Sequence, residues 1–282
     1  MTIKSVGIIG SGIMGSGIAQ VAATSGFDVV LRSRKHESAE QTVAAMQKSL
    51  EKLVAKERMS QEDADAAVAR VTATSKLDDL ADCDLVIESV VEDLATKVAL
   101  FNDLDHHCKD DAILATNTST LSVIEMAVET RRPERVCGVH FFNPAPMMSL
   151  VEIIKTLVTS DATIAEVRQF AEACGKSPVE VKDRAGFIVN HLLFPYLNNA
   201  VRMLENGTAN RDDIDSAMKG GANFPMGPFA LLDLVGLDTS LSILDALYDE
   251  FRDPHYAASP MLRRMVSAGH LGRKSGAGFY EY

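Results

Sequence analysis

The sequence predicts an α/β protein: a doubly wound, mostly parallel sheet with a helical hairpin insertion, followed by an all-α C-terminal domain. Three observations predict it. Between Val6 and Val181, short apolar runs alternate with helix-permissive stretches, the pattern that covers both faces of a parallel sheet with helices. A glycine-rich turn, Gly10-Ser11-Gly12-Ile13-Met14-Gly15, joins the first apolar run to the first helical stretch. Beyond Lys182-Asp183-Arg184-Ala185-Gly186 no strand signal returns until Gly278-Phe279-Tyr280, which sets domains at residues 1–183 and 184–282.

A chain of 282 residues can bury a substantial core in two domains. Its 46% apolar and 24% charged residues are ordinary for a globular protein. A net charge of -11 argues against nucleic acid or an anionic membrane as partner. A polyanionic ligand must therefore meet a local basic patch. Cys83, Cys108, Cys137 and Cys174 are too irregularly spaced for a metal site or a disulfide framework. Together with the lack of a signal-peptide pattern, they predict a reducing, cytoplasmic setting. No apolar stretch approaches the roughly 20 residues that span a bilayer.

In chain order, Val6-Gly7-Ile8-Ile9 reads as a buried strand and Gly17–Ala23 as a helix. Between them each glycine has its own reason. Gly10 permits the tight turn, Gly12 lets a pyrophosphate approach the backbone, and Gly15 lets the helix pack closely. The helix N-terminus offers N–H groups to phosphate. The turn thus predicts a Rossmann-type dinucleotide site. Phe27–Leu31 reads as the second strand, whose end carries an acid for the ribose in NAD-binding chains. Here that end is Arg32-Ser33-Arg34-Lys35.

Glu37–Ala69 reads as the helical hairpin, broken near Arg58-Met59-Ser60, with Ser60 and Asp63 capping its second arm. Lys48, Lys52 and Lys56 recur every four residues and so share one helical face. That face is either a solvated stripe or a basic patch for a ligand. Further strands are expected at Val71–Thr74, Leu85–Glu88, Ile113–Thr116, Val136–His140, Leu150–Ile154 and Pro178–Val181, with helices at 94–107 and 162–174. Ligands bind beyond the carboxyl ends of such strands, where Glu92, Ser119 and His140 lie. In the second half, Phe187–Leu204 is apolar nearly all round, as in a buried or interface helix, and Pro195 should kink it. Asn210 caps the next helix, Phe229–Val235 forms another, and a last helix runs from Ser259-Pro260 to Gly269.

Six segments in this order resemble the 3-hydroxyacyl-CoA dehydrogenase family over essentially the full length, and most closely its short single-function members. They are GSGIMG (Gly10–Gly15), SVVED (Ser89–Asp93), NTSTLS (Asn117–Ser122), HFFNPAPMMSLVEII (His140–Ile154), DRAGFIVN (Asp183–Asn190) and GRKSGAGFY (Gly272–Tyr280). The resemblance implies catalysis by His140 paired with Glu152, with Ser119 and Asn190 beside the reacting oxygen. The chemistry agrees. Oxidising a secondary alcohol needs a hydride acceptor and a base, and histidine as a residue type titrates near neutral pH. A carboxylate on its far nitrogen would fix the tautomer, and hydroxyl or amide donors would steady the oxygen.

For the cofactor, NAD or NADP, the resemblance implies Gly10, Gly12, Ile13, Met14 and Gly15 at the phosphates. Ser33 and Arg34 would lie at the ribose, and Glu92, Lys97, Asn117, Ser119, Asn143 and Lys274 toward the nicotinamide. For an acyl-CoA substrate it implies Ser49 and Lys56, assisted by Lys52, with Ser119 and Asn190 at the acyl end. It also implies a homodimer through the helical domain. Taken singly, Glu92 and Lys97 read as surface residues, Ser119 as a helix cap, and His140 as a structural histidine as readily as a catalyst. The function expected is reversible oxidation of a short (S)-3-hydroxyacyl-CoA. A dehydrogenase of a free hydroxy or sugar acid would have no use for Ser49 and Lys56. A crystallin-like structural protein would have no use for His140 and Glu152.

Overall fold

The first apolar run forms β1 (Ser5–Ile9) in the computed structural model, which describes residues 3–282. Four of its five residues are buried, and α1 (Ile13–Thr24) follows within four residues. Next come β2 (Asp28–Arg32), α2 (His36–Val54), α3 (Gln61–Ala69), β3 (Val71–Thr74) and β4 (Leu85–Glu88). Beyond them lie α4 (Leu94–His107), β5 (Ile113–Thr116), α5 (Val123–Ala127) and β6 (Val136–Phe141). The unit closes with β7 (Leu150–Lys155), α6 (Asp161–Ala173) and β8 (Ser177–Lys182). The eight strands form one sheet in the order β3-β2-β1-β4-β5-β6-β7-β8, parallel throughout except for the antiparallel pair β6–β7. β4, β5 and β6 are buried at every residue, as strands covered on both faces must be. The strand order reverses between β1 and β4, the place where α/β sheets open a ligand crevice.

Local chemistry sets the helix ends. Ser60 accepts the Asp63 N–H at 3.0 Å, Asp93 that of Thr96 at 2.9 Å and Ser160 that of Thr163 at 3.1 Å. The short α5, which periodicity does not announce, is capped from a distance: the Asp183 carboxylate accepts the N–H groups of Val123 and Ile124. The lysine stripe is shorter than its spacing predicts. Glu57 takes a left-handed φ of 56°, so α2 ends at Val54, with Arg58 N–H on Leu53 C=O at 2.9 Å. Lys48 and Lys52 stay on the exposed face of α2, and Lys56 lies in the turn beyond it.

Residues 184–282 form a second compact unit, all helical, with its own apolar core. It contains α7 (Val189–Glu205), α8 (Arg211–Ala222), α9 (Pro228–Val235), α10 (Leu237–Phe251) and α11 (Pro260–Ser267). Asn210 and Ser259 cap α8 and α11 with their side chains. α10 is absent from the sequence reading, because Gly236 at φ 102° separates it from α9 by a single residue. α7 is not buried all round: Leu192 and Met203 are exposed on it, and the polar Asn198 is buried. Asn198 is satisfied inside because it donates to Ala257 C=O and accepts the Ser259 N–H. The helix continues through Pro195.

Gly278–Tyr280 does not form a strand. The buried Asp233 carboxylate accepts the N–H groups of Phe279 and Tyr280 at 2.8 Å each. Asp215 accepts the Tyr280 hydroxyl, and burial beside that carboxylate pushes the phenol's pKa up.

All four cysteines are free and buried. Burial pushes the thiols of Cys83 and Cys137 up to about 12 and those of Cys108 and Cys174 to about 11, so none is a thiolate nucleophile at neutral pH. Among the described residues no helix is long and apolar enough to cross a membrane.

Candidate active site

The glycine turn leaves β1 at the point where the strand order reverses. Gly10 has a φ of 116°, and a Cβ there would collide with the Ser89 carbonyl oxygen. A Cβ on Gly15 would collide with the Gly10 carbonyl oxygen, so this glycine serves packing within the turn itself. Gly12 differs from both. Its φ is an ordinary -74°, and a Cβ there would meet no atom within 4 Å. Nothing inside the protein requires glycine at this position, whereas a ligand lying against the backbone would. Gly12 also starts α1 with no side chain capping the helix, which leaves its first N–H groups to an anion. A groove of about 440 Å³ opens here, lined by Ser11, Gly12, Ile13, Ser16, Ser38, Gln41, Thr42 and Ala45. Ile13 is exposed beside it, and Met14 packs on the core below. The cradle therefore fits a dinucleotide pyrophosphate.

At the end of β2, Ser33 is buried, and its hydroxyl lies 2.9 Å from that of Ser11. The strand end is thus tied to the phosphate turn by two hydroxyls. Arg34 and Lys35 are exposed, and the Arg32 Nε–H donates to Ser75 C=O at 3.3 Å.

β6 and β7 carry the central pair. Their antiparallel register sets His140 directly opposite Glu152, and the imidazole Nδ1 lies 2.8 Å from Glu152 Oε2. Both residues are buried, His140 at 4% exposure and Glu152 at 0%. In so apolar a setting the carboxylate fixes which ring nitrogen carries the proton. The Phe142 ring lies 4.4 Å from the imidazole, centroid to centroid.

The loops after β4 and β5 supply the rest of this edge. Asn117 accepts the Phe141 N–H at 2.8 Å and so joins the end of β5 to that of β6. Ser119 donates its N–H to Glu92 Oε1 at 2.8 Å. The helix-cap reading of Ser119 does not hold, because α5 begins only at Val123; in the turn before it the Thr118 hydroxyl accepts the Leu121 N–H and donates to Glu92. Lys97 is no surface residue either. It is completely buried, with its ammonium 2.8 Å from Glu88 Oε1, 2.9 Å from Glu88 Oε2 and 3.2 Å from Glu92 Oε2. Sequence reading misses Glu88. The available signal is a carboxylate ending the apolar strand Leu85-Val86-Ile87, where an unpaired charge could not stay.

Asn143 is exposed in the loop after β6 and precedes Pro144. Ser49 and Lys52 lie on the solvent face of α2, with Lys56 just beyond. In the helical unit, Asn190 is buried near the start of α7, and Lys274 forms an ion pair with Asp238 at 2.6 Å. Among the described residues no group of three or more His, Cys, Asp or Glu side chains could hold a metal ion.

Comparison with known proteins extends these observations. Residues 5–184 match the family described as 3-hydroxyacyl-CoA dehydrogenase, NAD binding domain, and residues 186–282 match its C-terminal domain. A 3-hydroxybutyryl-CoA dehydrogenase of Clostridioides difficile is 48% identical over 275 residues, covering 98% of each chain. Another, from Mycobacterium tuberculosis, is 47% identical over 286 residues, covering 99% of each. The crystal structure of (S)-3-hydroxybutyryl-CoA dehydrogenase from Ralstonia eutropha superposes with a TM-score of 0.97 at 43% identity, covering 100% of this chain and 99% of that one. A dinucleotide cradle, a buried histidine–carboxylate pair and matches of this extent across both units lead to one conclusion: the chain belongs to the 3-hydroxyacyl-CoA dehydrogenase family.

Proposed function

We propose that the protein reversibly oxidises a short (S)-3-hydroxyacyl-CoA, 3-hydroxybutyryl-CoA above all, to the 3-oxoacyl-CoA. The observation that carries this reading is the buried 2.8 Å contact between His140 and Glu152 in strand register. His140 takes the substrate hydroxyl proton at Nε2, while Glu152, on Nδ1, steadies the positive charge that the ring gains. Ser119 and Asn190 donate hydrogen bonds to the oxygen as it becomes a carbonyl. A bound nicotinamide dinucleotide supplies the hydride acceptor. Gly10, Gly12, Ile13, Met14 and Gly15 would hold its phosphates, and Glu92, Lys97, Asn117, Asn143 and Lys274 would serve its nicotinamide side. Ser49, Lys52 and Lys56 would meet the CoA phosphates with local positive charge on an acidic protein. Four buried thiols accord with a cytoplasmic location.

Cofactor choice falls to the end of β2. With Ser33 in place of an acid and with Arg34 and Lys35 exposed beside it, nothing there repels a 2′-phosphate. We expect acetoacetyl-CoA to be reduced with NADH and with NADPH, the kcat/KM ratio of NADPH to NADH exceeding about one in a hundred. Ser33→Asp should lower that ratio. A smaller initial ratio, or one unmoved by the substitution, refutes NADP acceptance at this site. Inactivity toward acetoacetyl-CoA with both cofactors refutes the reaction itself.

We further propose a homodimer through the helical unit, whose exposed Leu192, Met203, Phe224 and Leu234 suit an apolar interface. Light scattering at micromolar concentration should give twice the 30.5 kDa chain mass. A monomer would refute it.

A further inference from the structure

The buried cluster beneath Ser119 has more parts than the reaction uses. Glu88, completely buried at the end of β4, accepts the Val90 N–H at 2.6 Å and the Thr116 hydroxyl at 2.7 Å, besides both contacts from Lys97. Its lone-pair sites are thereby filled. The Lys97 ammonium spends its remaining reach on Glu92 Oε2, at 3.2 Å. The other oxygen of Glu92 holds the Thr118 hydroxyl and the Ser119 N–H. Glu92 is 39% exposed, so without Lys97 solvent would compete for its Oε2 and loosen the carboxylate. A buried ion pair is a poor stabilising device, because desolvation of both charges offsets their attraction. What this pair does gain is direction: it points one fixed cation at one carboxylate oxygen.

We infer that Glu88 and Lys97 are positioning residues, which orient Glu92 and through it hold the Ser119 backbone in place for the reaction. This deepens the reading that Ser119 serves the reacting oxygen, and on that reading its kinetic part rests. Toward Ser119, Lys97 acts through Glu92.

The test is the double variant Glu88→Gln/Lys97→Met, which removes both charges together and leaves neither buried unpaired. Amide hydrogen exchange, which needs no catalysis, reads the Ser119 N–H directly. It should exchange at least about tenfold faster, while the amides of β5 keep their protection. In steady-state kinetics kcat should fall at least about fivefold, since misplacing a reacting group costs rate. Unchanged Ser119 exchange overturns the inference, as does a smaller loss in kcat. Should the double variant not fold, the isosteric Glu88→Gln replaces it. Its loss should not multiply with that of Glu92→Gln, and independent losses would overturn the relay. An unmodified enzyme inert toward acetoacetyl-CoA sinks the functional reading instead, and Ser119 exchange then decides the relay alone.

Discussion

His140→Ala should lower kcat for acetoacetyl-CoA reduction about a thousandfold, the middle of the range that a positioned acid–base group contributes. The residue sits at 4% exposure with its Nδ1 on Glu152, so the ring is held in one place and one orientation, which the variant loses. The fold should survive, because β6 stays paired with β5 and β7 through backbone hydrogen bonds. Glu152→Gln keeps the shape but presents an amide to the ring. It should cost about 10–100-fold, the usual loss when the partner that orients a histidine is changed. Retention of more than about a tenth of the turnover by His140→Ala would remove it from the chemistry, given that general acid–base catalysis is worth at least about a hundredfold.

Gly15→Ala should destabilise the protein by about 3 kcal/mol, the upper range for forcing a methyl into a packed site. It should lower Tm by roughly 6–12 °C, and NADH binding should weaken at least about tenfold as the phosphate turn shifts. The cause is the Gly10 carbonyl oxygen, which occupies the place of the new Cβ and cannot move without carrying the turn with it. Gly12→Ala is the matching control. Its Cβ meets no protein atom within 4 Å, so Tm should stay within about 2 °C while NADH binding weakens at least about tenfold. Calorimetry and fluorescence titration separate the two variants. If Gly12→Ala bound NADH normally, the turn would not be where the pyrophosphate lies.

Much of this architecture is legible in the residues because its signals are local. β3, β4 and β5 begin and end where their apolar runs do, and the caps at Ser60 and Asn210 follow from a side chain and the N–H three residues on. What was not legible depends on conformation or on distant partners. Nothing in Lys56-Glu57-Arg58 announces the left-handed Glu57 that ends α2 early. Thr118, Ser119 and Thr120 offer similar hydroxyls, and only the fold decides that Thr118 receives the Leu121 N–H. Lys97 reads as surface because a buried ammonium needs carboxylates that only tertiary structure brings, here Glu88 and Glu92. Asn198 likewise sits inside α7 because Ala257 and Ser259 satisfy it from far along the chain.

The His140–Glu152 contact lies within a ladder of main-chain hydrogen bonds, while the eight residues that connect the two strands, 142–149, lie outside it. This divides the hairpin into a part that can evolve and a part that cannot. A change of length in the connecting loop leaves that ladder, and so the dyad, in register. An insertion of one residue inside either strand has the opposite effect, since successive side chains alternate faces and one partner would turn to the far side of the sheet. Variation is therefore absorbed most easily in the loop, with the proton-transfer pair carried along unchanged.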